Sequence, residues 1–191
     1  VSHYANRLIK ELPGCDKQWD KLKTFLEPAD QRFVWWQIAG IAGQGKSRMA
    51  IELVFEARKR GWRAGFLMGK HLENYLILSN DWVPASPTLI VIDYVVGNLS
   101  GVRQLHNKLT FFDSFFENDV RLLLVERQRW DRAGGNETRG ENSNLSERAG
   151  WYMALTERSD GNDPDIVASR YLDGVVELLG LNDDQLIQLV S

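Results

Sequence analysis

Gly40-Ile41-Ala42-Gly43-Gln44-Gly45-Lys46-Ser47 is the stretch of sequence that decides the fold. Four residues separate its two outer glycines, and Lys and Ser follow, which is the pattern of a phosphate-binding loop. The apolar run at 33–39 before it favours a β-strand, and residues 48–57 after it favour a helix. A strand, a glycine-rich loop and a helix in this order are the structural context of a nucleotide site. The alternative is a glycine-rich turn that is followed by Lys-Ser by chance, and such a turn would not require these flanking elements.

The residue types in this loop suit the phosphates of a nucleotide. Glycines let successive backbone N–H groups point inward with no Cβ in the way, and the following helix adds its free N–H groups and the positive end of its dipole. Lys46 supplies a charge for the β- and γ-phosphates, and the Ser47 hydroxyl is a suitable ligand for Mg²⁺. The predicted nucleotide-binding residues are Gly40, Gly43, Gln44, Gly45, Lys46, Ser47 and Arg48.

Length, charge and cysteine content narrow the class of protein. The 191 residues suffice for one α/β domain, and the net charge of −3 gives no overall basic field of the kind that binds nucleic acid. Cys15 is the only cysteine, so we expect no internal disulfide and a cytoplasmic location. No apolar run approaches the ~20 residues of a membrane span, so we expect no membrane contact. The chain starts at Val1 rather than Met, which suggests a piece of a longer protein.

Residues 88–93 carry the second strong pattern, a continuous apolar run that ends in an acid, Asp93. A run without alternation is typical of a strand buried on both faces of a parallel sheet. The functional groups of open α/β sheets lie at the carboxyl ends of their strands. We therefore predict that Asp93 holds Mg²⁺ together with Ser47, directly or through water. The alternative is an Asp that only caps the following loop.

Residues 120–125 predict another buried strand, and it ends in Glu126 and Arg127. Residues 175–179 are ambiguous, with a strand favoured over a helix. These patterns predict an α/β fold, the three-layer P-loop NTPase sandwich around a mostly parallel five-stranded sheet. The predicted organisation is a helical segment at 1–30, a core at 31–180 with a flexible loop at 131–150, and the start of a further helical region at 181–191.

Several motifs together resemble one family of ATPases. They are Trp19-x-x-Leu22-x-x-Phe25-Leu26, the glycine loop with Arg48-x-Ala50-x-x-Leu53, Leu89-Ile90-Val91-Ile92-Asp93-Tyr94, Leu122-Leu123-Leu124-Val125-Glu126-Arg127 and Leu179-Gly180-Leu181-x-Asp183-Asp184-x-Leu186-x-x-Leu189. In this combination the sequence resembles the ATPase core of STAND proteins, the signal-transduction NTPases related to NACHT and NB-ARC domains. The resemblance covers most of the chain, and it implies ATP or ADP with Mg²⁺ as the cofactors.

The resemblance also implies an arrangement of the site. The strand that ends before Arg127 should lie between the strands of the glycine loop and of Asp93, which would bring Arg127 to the γ-phosphate as a sensor. The alternative is a surface arginine in a basic cluster. The segment at 13–17 should help to hold the adenine. The family implies a switch module of a larger signalling or immune-defence protein, with other domains of that protein as partners and homo-oligomers when activated.

One departure from the family concerns hydrolysis. Many hydrolysing relatives have a second acid after the first, but Tyr94 follows Asp93 here. Glu126 is a candidate base because it also lies at a strand end, which makes Lys46, Asp93, Glu126 and Arg127 the predicted catalytic residues. Two other functions stay open: a small-molecule kinase with 131–150 as its lid, and a nucleotide-binding module without turnover.

Overall fold

The computed structural model describes residues 15–68, 72, 82–127 and 175–178. Within them the elements are α1 (Asp16–Thr24), β1 (Phe33–Ala39), α2 (Lys46–Lys59), β2 (Arg63–Phe66), β3 (Thr88–Asp93), a 3-10 turn (Val95–Asn98), α3 (Leu99–Phe112), a second 3-10 turn (Asp113–Phe115), β4 (Val120–Glu126) and β5 (Val175–Glu177). None of the helices in these ranges is both long and apolar enough to cross a lipid bilayer.

The five strands form one sheet in the order β2-β3-β4-β1-β5, and every pair of neighbours is parallel. The predicted fold class is therefore confirmed, and the ambiguous segment near residue 175 is a strand. β4 lies between β1 and β3, as the family resemblance implied. Its last residue, Glu126, pairs with Ala39 at the end of β1, while Asp93 at the end of β3 pairs with Val125. The carboxyl ends of the three central strands thus meet at one edge of the sheet.

Helices cover both faces of this sheet, and as a result every residue of β1 and of β4 is buried. On one face Trp35 belongs to a cluster with the inward side chains of α3, such as Leu105. On the other face Trp36 packs with Leu53 of α2 and Leu22 of α1. Side chains alternate between the two faces of a strand, so the adjacent tryptophans serve different layers. The result is the predicted three-layer sandwich, with α2 directly behind the glycine loop.

A buried arginine joins the end of α1 to the middle of the sheet, and the sequence patterns did not predict it. Arg121 on β4 is only 1% exposed. Its Nε donates to Phe25 O at 2.8 Å, its Nη2 to Glu27 O at 2.9 Å and its Nη1 to Arg32 O at 2.9 Å. Burial lowers the pKa of the guanidinium, and the carboxylate of Asp119 acts in the opposite direction. These bonds fix the turn between α1 and β1, and so the position of α1 against α2.

Three predictions fall on other parts of the chain. The loop at 131–150 and the helical region at 181–191 lie outside the described residues, and so do the first two residues of the predicted adenine segment at 13–17. The predicted domain boundaries at 30 and 180 stay predictions.

Candidate nucleotide-binding site

The backbone of the glycine loop requires glycine at several positions. Gly40, Gly43 and Gly45 have φ angles of 152°, 86° and 83°, all in the region that side chains disfavour. At Gly40 there is also no room, since a Cβ would lie 2.4 Å from Gln44 Oε1 and 2.7 Å from Leu178 O. The loop therefore curls tightly between β1 and α2, with β5 closing one side.

Helix α2 begins at the loop without a side-chain cap. Its N-cap residue is Gly45, and no acidic residue lies in its first turn. The first N–H groups of a helix have no partner within the helix, and they carry the positive end of its dipole. Ala42, Gly43 and Ser47 beside them are exposed. This end of α2 can therefore accept an anion from solvent, as phosphate-binding helices do.

Lys46 lies back over the loop. Its Nζ donates to Gly40 O at 2.6 Å and to Ile41 O at 2.8 Å. Burial lowers the pKa of this lysine, whereas the carboxylates of Asp93 and Glu126 raise it and the charge of Arg127 lowers it further. The predicted catalytic groups are therefore within electrostatic reach of one another. An anion in the loop would offset the burial of the ammonium group.

Ser47 and Asp93 meet although 46 residues separate them along the chain. The Ser47 hydroxyl donates to Asp93 Oδ2 at 2.7 Å, and both residues are exposed. A hydroxyl and a carboxylate are the oxygen ligands that Mg²⁺ accepts, and Mg²⁺ in nucleotide sites takes its other ligands from phosphate and water. Among the described residues no group of three or more His, Cys, Asp or Glu side chains could hold a metal ion alone. The pair fits Mg²⁺ that arrives with a nucleotide rather than a permanent metal centre.

Glu126 and Arg127 lie where β4 ends, between the loop and Asp93. Glu126 is only 5% exposed, and its Oε1 accepts a hydrogen bond from the backbone N–H of Arg127 at 2.6 Å. Arg127 itself is exposed. The structure thus brings Lys46, Asp93, Glu126 and Arg127 to one edge of the sheet, and their chemical roles remain to be tested.

Tyr94 adopts an unusual backbone conformation directly after Asp93. With φ 64° and ψ 66° it is the one non-glycine residue with positive φ in the described ranges. Such conformations cost of order 1 kcal/mol or more and are often found at functional sites. The ring lies over Gly97, where an added Cβ would be 2.7 Å from it, and the residue is 61% exposed. No sequence pattern predicts this turn, which leads the chain away from the sheet.

Two predicted nucleotide contacts have buried polar atoms that lack partners. Gln44 Oε1 and Arg48 Nε form no hydrogen bond with the described residues. Arg48 uses another nitrogen, Nη2, to contact Glu52 Oε1 at 3.2 Å. A nucleotide that completed these bonds would remove the cost of leaving them unmade, roughly 1–3 kcal/mol each.

The sheet order, the glycine loop after β1 and the acid after β3 define a P-loop NTPase fold. Solved structures with the same fold include AMPPCP-bound DnaA from Aquifex aeolicus, with a TM-score of 0.53 and 15% identity over 97% of this chain and 52% of that one. Cdc6p from Pyrobaculum aerophilum gives 0.52 and 14% over 95% and 49%. The Aeropyrum pernix ORC1 protein in complex with DNA gives 0.54 and 13% over 95% and 49%.

These likenesses establish the fold alone, because the sequence identities are low. The chain spans about half the length of each of these proteins. No model of a protein family matches the sequence, and no curated protein does so either.

Proposed function

We propose that this chain is the ATP-binding and ATP-hydrolysing switch module of a larger signal-transduction or immune-defence protein of the STAND type. The observation that carries nucleotide binding is the contact between Ser47 and Asp93, which joins the glycine loop to the acid at the end of β3. The STAND assignment is supported by the sequence motifs. AMPPCP, an ATP analogue, is bound by one similar structure, DnaA from Aquifex aeolicus.

Each residue of the loop has a role in this proposal. The N–H groups at the start of α2 hold the phosphates, and Lys46 exchanges its two carbonyl contacts for the β- and γ-phosphates. Ser47 and Asp93 hold Mg²⁺, which neutralises charge on the phosphates. Arg127, exposed at the end of the neighbouring strand, reaches the γ-phosphate.

The contact between Arg127 and the γ-phosphate would make the module a switch. A nucleotide shifts a conformational equilibrium only through contacts that differ between the two states. ATP has a γ-phosphate for Arg127 to contact and ADP has none. Hydrolysis would therefore release the end of β4 and reset the module, which acts on other domains of the intact protein and on further copies of it.

DNA is present in some of the similar structures, including the ORC1 complex. We do not extend DNA binding to this chain, because its net charge of −3 provides no overall basic field.

Isothermal titration of ATP, ADP and GTP with Mg²⁺ tests the proposal. We expect micromolar binding of adenine nucleotides and at least tenfold weaker binding by Lys46→Ala, because the variant lacks the charge that faces the phosphates. Lys59→Ala is the matched control, since Lys59 is an exposed lysine at the other end of the same helix. Unchanged ATP affinity in Lys46→Ala would refute the site. Turnover that required an added acceptor would favour the small-molecule kinase.

A further inference from the structure

The position that carries the second acid in many hydrolysing relatives is occupied here by Tyr94. In the β3–β4 pairing Asp93 is opposite Val125, and the Tyr94 N–H continues this pairing by donating to Val125 O at 3.1 Å. Successive side chains of a strand point to opposite faces. Position 94, if the strand continued, would therefore share a face with Glu126 on the adjacent strand.

Tyr94 does not fill that place with a proton acceptor. Its left-handed backbone directs the chain into the 3-10 turn, and its ring packs on Gly97. Glu126, in contrast, lies within β4, where it pairs with Ala39, the residue directly before the glycine loop. A carboxylate is thus present on the expected face, one strand closer to the loop.

The surroundings of Glu126 suit a base more than a surface charge. The side chain is only 5% exposed, and one of its oxygens accepts a hydrogen bond from the Arg127 N–H. It lies on the strand that pairs with β1 directly before the glycine loop, and its negative charge raises the pKa of Lys46. A carboxylate oriented by a backbone N–H, in a largely dry place beside the phosphate-binding lysine, can position and deprotonate water.

We infer that Glu126 is the general base for ATP hydrolysis and replaces the acid that position 94 lacks. This inference rests on the proposed function, because it requires ATP in the glycine loop. A water oxygen bonds to the γ-phosphorus while the bond from that phosphorus to the β,γ-bridging oxygen breaks. The electron pair of that bond leaves with ADP, and the water proton passes to the Glu126 carboxylate and then to solvent.

The test compares three forms of the 191-residue chain in single-turnover hydrolysis and in ATP titration: the wild type, Glu126→Gln and Glu126→Asp. Glutamine keeps the acceptor for the Arg127 N–H but cannot take a proton. We expect Glu126→Gln to hydrolyse ATP roughly 10²–10⁴-fold more slowly, the usual contribution of a general base. Its ATP affinity should stay within about threefold of the wild type.

Rescue and nucleotide content distinguish a base from a structural residue. Glu126→Asp keeps a carboxylate at this position, so it should hydrolyse ATP at least tenfold faster than Glu126→Gln, whereas a residue with only a structural role would show no such difference. After incubation with ATP, Glu126→Gln should retain ATP and the wild type ADP, as measured by chromatography of the released nucleotide.

Several results would overturn the inference. A Glu126→Gln rate within threefold of the wild type would show that another group takes the proton. Loss of ATP affinity in this variant would make Glu126 part of the binding site instead. If the wild-type chain binds ATP but does not hydrolyse it, the inference about Glu126 fails, while the proposed nucleotide site is retained. If the wild type binds no ATP, the proposed function itself fails.

Discussion

Replacement of Arg121 by Met should destabilise the protein more than the same replacement of a surface arginine would. The guanidinium donates to four backbone carbonyls, of Phe25, Glu27, Arg32 and Val120, and is 1% exposed. Methionine fills a similar volume but donates no hydrogen bond. A buried acceptor left without a partner costs about 1–3 kcal/mol. The carboxylate of Asp119 keeps its contact to Arg32 at 3.2 Å, so no carboxylate is left without an ion-pair partner.

We therefore expect the free energy of unfolding to fall by about 3–5 kcal/mol, as for the loss of one partner from a buried charged contact. That is a large part of the 5–15 kcal/mol by which domains are typically stable. At roughly 2–4 °C per kcal/mol for a chain of this size, the melting temperature should drop by about 6–20 °C. Urea unfolding followed by circular dichroism measures the change in free energy, and a thermal scan measures the change in melting temperature.

Arg58 provides the matched control. Its Nε and Nη2 also donate to a backbone carbonyl, Ala64 O, at 2.9 and 2.7 Å, but at an exposed position where water can replace them. Arg58→Met should cost less than about 1 kcal/mol, the usual range for surface substitutions and contacts. If Arg121→Met cost no more than Arg58→Met, burial would not be the source of the effect and the reasoning would be refuted.

Two further predictions concern the nucleotide site. The pKa of Lys46 is lowered below 10.5, chiefly by burial, so ATP affinity should decline as pH rises through that lowered pKa, and ATP binding should be accompanied by proton uptake there. Without nucleotide, the unfolded chain binds more protons than the folded protein between the lowered pKa and 10.5, so the free energy of unfolding should rise with pH over this range. Lys46→Ala should abolish both pH effects, as measured by ATP titrations and by unfolding curves. Ser47 and Asp93 form one hydrogen-bonded pair. Ser47→Ala and Asp93→Asn should therefore each reduce, at least tenfold, the factor by which Mg²⁺ raises the affinity for ATP, as measured by titration with and without Mg²⁺. The double variant should lose little more than either single one, and additive losses would show that the two residues act separately.

The fold was largely predictable because its decisive signals are local. The strand, the glycine loop and the helix that follows it are adjacent in the sequence, so a local pattern identifies them. The unbroken apolar runs of β3 and β4 indicate strands that are buried on both faces. The position of β4 between β1 and β3 came only from the family resemblance, since no local pattern specifies which strands become neighbours. The structure confirms that order.

The features that sequence reasoning missed depend on distant contacts or on single backbone angles. Arg121 contacts carbonyl groups that lie 89 to 96 residues earlier in the chain, and an arginine inside an apolar strand carries no sign of its partners. Tyr94 is in the left-handed region, for which tyrosine has no preference that a pattern could detect. The strand that ends before Arg127 lies between β1 and β3, as the resemblance implied, and the role of Arg127 as a γ-phosphate sensor stays a prediction.

Under the proposed function, hydrolysis depends on which strand supplies the acid and not only on the two sequence motifs. The motifs bring Lys46, Ser47 and Asp93 together, which would account for the proposed binding of phosphate and Mg²⁺ but not for deprotonation of water. The chain turns away after Asp93, so β3 cannot supply the base from position 94. β4 lies between the two motif strands and ends in a buried carboxylate beside the loop. When a strand lies between the strand of the glycine loop and the strand of the Mg²⁺-binding acid, its carboxyl end is a second position from which a base can act. A sequence search for two adjacent acids after β3 would miss a base at that position.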